Sequence, residues 1–162
     1  MDIESTRQRF IDHLSQLLVI IEKIPPNVFE ASLAPNMFNL AMNAKIATNF
    51  TLRGLCPLIN EDIVDFMEDS NDKQAVTNQI IHTKSFIASL TMPECIMQNK
   101  IIEKAGHREV VFTPDTFLEA YIIPNYFFHV SMVYAIARAN NVQLSKGDFD
   151  GYHQYPVGFS FV

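Results

Sequence analysis

Apolar residues return every three or four positions in four stretches of this chain, and the first three stretches close on proline. In the first, about residues 2–23, Ile3, Phe10, Leu14, Leu17, Ile21 and Ile24 share one helical face. Pro25 and Pro26 end it, because proline has no amide proton to give. The second, about residues 35–53, opens on Pro35, which suits a first turn, and stops before Gly54 and Pro57. Its stripe is Met37, Leu40, Ala44, Ala47 and Thr51; Lys45 and Arg53 are its only charges, so burial is expected. The third, about residues 71–90, reads Asn71 as a cap with Gln74 three residues on, then Val76, Ile80, Thr83, Ile87 and Leu90. The fourth, about residues 113–140, begins with a capping Thr113, a first-turn Pro114 and an acidic Asp115. Pro124 inside it predicts a kink or a restart, with the carbonyl of Ala120 freed.

The segments between are shorter in period or polar. Residues 58–70 form an acidic connection carrying Glu61, Asp62, Asp65, Glu68 and Asp69. Residues 99–112 place β-branched and aromatic runs around Ala105-Gly106-His107, which predicts a short β-hairpin. The tail, residues 141–162, contains Gly147, Gly151, Pro156 and Gly158 and reads as an extended segment laid over the helices. The expectation is an all-α fold, a four-helix bundle with a short β-hairpin between helices 3 and 4, built as one domain over residues 1–162.

Leu17-Leu18-Val19-Ile20-Ile21 is wider than one helical stripe. It marks either a deeply buried helix end or a second buried face, and the second reading predicts a homodimer.

Composition sharpens this picture. Of 162 residues, 48% are hydrophobic and 19% charged, enough apolar material for a packed core and too little charge for a disordered chain. The net charge is −6 and no helical face gathers Lys and Arg, so a nucleic-acid partner is not expected. No apolar run approaches bilayer length and the N-terminus is acidic, so the expectation is a cytoplasmic protein with no membrane partner. Cys56 and Cys95 stand outside any metal or redox spacing and read as reduced, structural thiols.

Candidate chemistry is sparse. No nucleophile elbow, phosphate loop or zinc-protease helix motif is present. His13, His82 and His129 fall on three helices, each at the edge of an apolar stripe. They are either three separate boundary residues or three ligands meeting on a metal in the bundle. His129 carries the most information: Asn125, Tyr126 and Pro124 precede it in an otherwise apolar helix. Buried polar groups need partners, so these residues form either a core network or a small polar pocket. His129 itself is expected to be buried, neutral, and bonded to a polar group of the second helix or a carbonyl near Pro124.

The run Pro124-Asn125-Tyr126-Phe127-Phe128-His129, followed by Tyr134, Ala135, Ile136 and Arg138, resembles a signature of the DinB/YfiT-like superfamily. Within it, the chain is most similar to a branch known as a domain of unknown function. Leu33-Ala34-Pro35-Asn36-Met37 is similar to that branch's approach to its second helix, where Asp is commoner at the Asn36 place. Lys146, Asp148 and Gly151 fit its C-terminal pattern. The resemblance implies an up-down-down-up bundle, often dimeric. Many members of the superfamily hold a divalent metal through one histidine on helix 2 and two more, four residues apart, on a later helix. This chain departs from that pattern. Helix 2 has no histidine, with Asn43 the nearest polar candidate, and Val133 stands four residues after His129.

The leading expectation is therefore a bundle that has lost the metal-binding triad. No metal or other cofactor is expected, and a small ligand would bind at Asn43, Asn125, Tyr126 and His129. The alternative is a divalent-metal-dependent enzyme of the superfamily's type, a small-thiol transferase or hydrolase using His129 with ligands the sequence does not identify.

Overall fold

A computed structural model describes residues 2–156 and 159–160. Four helices carry the fold: α1 (Ile3–Lys23), α2 (Leu40–Ile59), α3 (Lys73–Ser89) and α4 (Pro114–Ala139). Two strands, β1 (Ile101–Ala105) and β2 (Arg108–Phe112), pair antiparallel between α3 and α4, with Ile101 opposite Phe112 and Ala105 opposite Arg108. Gly106 opens their two-residue turn at a φ of 63°, a left-handed value that glycine adopts without strain.

Side-chain contacts fix the helix directions. Arg7, early in α1, donates to the carbonyl of Leu90 just past α3. Lys73, at the start of α3, donates to the carbonyls of Glu22 and Ile24 at the end of α1. These two helices are therefore antiparallel. Gln79 near the start of α3 reaches Lys45 and Asn49 near the start of α2, so α2 and α3 run parallel. Arg53 late in α2 meets Tyr121 early in α4, so that pair is antiparallel. The order is up-down-down-up.

Local chemistry moves several boundaries from where periodicity places them. α2 begins at Leu40, not Pro35, because the Asn39 side chain accepts from the Met42 amide at 2.8 Å and residues 35–37 form a turn and a bend ahead of it. It also runs on through Gly54 and Pro57, ending at Asn60 in a left-handed conformation. Gly54 is not a breaker there. A Cβ on it would lie 2.5 Å from Ile122 Cγ2 and 3.1 Å from Phe10 Cζ, so its bareness lets α2 approach both helices. The α3 cap is Asp72, whose side chain accepts from the Ala75 amide, while Gln74 turns to Asn78. In α4 the expected disturbance takes the form of a π-helical segment, Phe117–Ile122, with regular α-helix resuming at Ile123. The tail holds a short helix, Lys146–Asp150, tied to α1 by Gln16 and Lys23. Gly158 lies outside the described residues.

Leu17, Ile20 and Ile21 are buried in the chain's own core, Leu18 is half-buried and Val19 is exposed. One bundle thus absorbs most of the run. α4 is long and apolar enough to cross a membrane by length and composition alone, with 39% of its most apolar window buried. Tyr126, Val130, Val133, Ile136 and Ala137 put part of that apolarity in the core.

One charge goes inside with it. Lys45 is 1% exposed and donates to the carbonyls of Glu68 and Ser70 at 2.7 and 2.6 Å and to Asn71 Oδ1 at 3.2 Å. All three ammonium protons have acceptors, and the acidic connection is held down by them.

Candidate functional site

α2 and α4 bring Asn43 and His129 together. His129 is 9% exposed, and its Nδ1 lies 2.9 Å from Asn43 Oδ1. The Asn43 amide nitrogen donates to the carbonyls of Phe38 and Asn39 at 3.1 and 2.9 Å. Turned the other way, that amide would point its oxygen at two carbonyl oxygens, so Oδ1 is the atom left to accept. His129 therefore carries its proton on Nδ1, and Nε2 keeps a lone pair. The ring is stacked on Phe50 at 5.8 Å and meets Phe128 edge-on at 5.1 Å.

Burial among these groups pushes the His129 pKa below the usual histidine value. The unfolded chain then binds the proton more readily than the folded one. The stabilisation is complete above the unfolded value, about 6.5, and declines as pH falls through it. Melting curves should show wild type losing more stability between about pH 7.5 and about pH 5.5 than a His129→Asn variant. His13, lowered by desolvation and then by Arg9, should supply the pH dependence that remains. Identical slopes would mean that His129 titrates as it does in the unfolded chain.

The imidazole lines a groove of about 550 Å³ whose other walls include Met37, Phe38, Phe128 and Met132. Phe38 and Phe128 are 59% and 56% exposed, which is unusual for phenylalanine and gives the groove apolar lips over a polar floor.

The four residues singled out from sequence do not form one cluster. Asn43 and His129 meet. Tyr126 reaches across to α1, where its hydroxyl donates to the His13 carbonyl at 2.8 Å; burial pushes its pKa well up. Asn125 turns back along α4 and donates to the Tyr121 carbonyl at 2.7 Å, one residue on from the Ala120 carbonyl expected to be free. Adjacent helical positions point about 100° apart, so Asn125 and Tyr126 serve different neighbours. The groove walls Met37, Phe38 and Phe128 went unrecognised. Nothing in their apolar identity separates an exposed lip from a core position.

The three helix histidines stay apart. His13 stacks on Tyr126 at 5.4 Å, His82 lies against Phe66 at 6.0 Å, and His129 sits on Phe50. Among the described residues no three His, Cys, Asp or Glu side chains gather as metal ligands. Where the superfamily pattern asks for three imidazoles, this chain offers Asn43, His129 and a fully buried Val133. The Asn43 oxygen is already taken by His129. These residues do not fit a divalent metal.

A family model described as a domain of unknown function, DUF1993, matches residues 6–150. A crystal structure of a DinB family member protein from Shewanella denitrificans at 1.83 Å resolution superposes with a TM-score of 0.78. It covers 97% of this chain and 99% of its own at 18% identity, a likeness of fold. No curated protein matches the sequence.

Proposed function

This chain belongs to the DUF1993 family, a domain of unknown function with the DinB-like bundle, and on that footing we propose that it binds a small amphipathic molecule in the groove at His129. The observation that carries the reading is the Asn43–His129 pair. Its hydrogen bonds hold the imidazole in one tautomer and leave Nε2 as an acceptor with no donor among the described residues. The exposed Phe38 and Phe128 supply apolar contact on either side. The matching ligand has an apolar body and one O–H or N–H donor aimed at Nε2.

A phenol bearing a short alkyl chain is a suitable probe, and its methyl ether is the comparison that lacks the donor. Titration of the nitrogen-15-labelled protein with 4-ethylphenol should shift amide signals at residues 37–38, 43 and 128–129 in a saturable way. The methyl ether should bind roughly tenfold more weakly, the equivalent of one hydrogen bond. His129→Leu should bring the two ligands to the same affinity. Equal affinities in wild type, or no saturation with the phenol, would overturn the reading.

A further inference from the structure

A second cleft, of about 480 Å³, opens on the other side of α4 between α1 and the C-terminal segment. Its inner wall is aromatic. Tyr126 is stacked with His13 at an interplanar angle of 24°, and Phe127 meets His13 edge-on at 5.0 Å. Phe149 and Tyr152 close the outer wall. That wall is held in place rather than merely lying there. Gln16 donates to the Asp148 carbonyl at 2.6 Å, and Lys23 pairs with the Asp148 carboxylate. Gly151, at a φ of 75°, lets the turn come so close that a Cβ would lie 2.8 Å from Gln16 Oε1.

The polar groups of this cleft are underused. The His13 ring makes aromatic contacts but no hydrogen bond among the described residues. Among the described residues, Asp12 at the mouth accepts only from Gln8, at 2.9 Å, which leaves its second carboxylate oxygen without a partner there. Asp150 adds a second negative charge, its carboxylate accepting from the Tyr152 and His153 amides and paired with the His153 ring. Arg9, the one cation lining the cleft among the described residues, already has Glu119 at 3.5 Å. The balance at the mouth is negative, over a slot between aromatic rings.

We infer that this cleft is a second small-molecule site, one for a flat aromatic amine whose ring lies among Tyr126, Phe127 and Phe149 and whose ammonium or N–H group meets Asp12 beside His13. Aromatic faces and edges accept a flat ring by offset or edge contact, and a carboxylate at the rim selects for positive charge.

The chain contains no tryptophan, so an indole ligand can be followed by its own fluorescence. Tryptamine is the probe and indole-3-acetate its anionic counterpart. Anisotropy titrations should give saturable tryptamine binding below about 1 mM and at least about tenfold weaker binding of the acetate. Asp12→Asn should remove most of that preference, and Tyr152→Ala, at a residue 88% exposed, should weaken both ligands with no change in melting temperature. Phe128→Ala, in the groove at His129, should leave tryptamine binding as it was. Absence of saturation by about 5 mM, equal affinity for the two ligands, or loss of binding in Phe128→Ala would each overturn the proposal.

Discussion

Lys45→Met should lower the free energy of unfolding by about 3 kcal/mol and the melting temperature by roughly 6–12 °C. Met fills nearly the same space, so little of the loss comes from packing. What disappears is the set of three charge-assisted hydrogen bonds to Glu68, Ser70 and Asn71, each worth about 1.5–3 kcal/mol. Relief from burying an ammonium group offsets part of that sum. The connection between α2 and α3 forms no helix or strand over residues 60–72, so apart from Phe66 against His82 and Phe86 and the Asn78–Glu68 bond it depends on these hydrogen bonds. Urea titration gives the stability, and limited proteolysis within residues 60–72 should speed up in step. A loss under about 1 kcal/mol with unchanged proteolysis would show that the connection holds itself in place.

Gly54→Ala should destabilise the protein by about 2 kcal/mol, where the same change at an open helical position would add up to about 1 kcal/mol. The sign reverses because the new methyl would sit 2.5 Å from Ile122 Cγ2 and 3.1 Å from Phe10 Cζ, in side chains with no exposed surface. Ile122 is β-branched and has few rotamers to retreat into. A double-mutant cycle separates crowding from other causes. Ile122→Ala alone should cost about 2–5 kcal/mol, and on that background Gly54→Ala should become neutral or stabilising. Simple additivity would mean that the two groups do not compete for space.

Both sites show what a sequence read in isolation carries and what it withholds. The α1 stripe, the capped start of α4 and the hairpin around Gly106 depend on neighbours close along the chain, and their bounds follow from residue order. Gly54 and Lys45 depend on contacts between helices. Glycine inside an apolar pattern has the same signature whether it ends a helix or lets another helix close in, so α2 reads six residues short at its end. Lys45 stands in the sequence as one of two charges on a buried helix, and its partners, 23 to 26 residues away, have no local signal. At the candidate site, the need of a buried His129 for a polar partner was legible, with α2 and a carbonyl near Pro124 as the two candidates, and the structure takes Asn43 on α2. The separate fates of Asn125 and Tyr126 were not legible, since both turn on how α4 is rotated.

That rotation has a specific origin. The π-helical segment Phe117–Ile122 takes one more residue per turn than the α-helix around it. Wound as plain α-helix with no residue removed, the same six residues would carry every later side chain about 100° further around the axis. His129 would leave Asn43, Val133 would leave the core, and Tyr126 would lose the carbonyl of His13. The phase of the whole C-terminal half of α4, and with it the aim of both clefts, is thus set by a single surplus residue about two turns upstream of the imidazole.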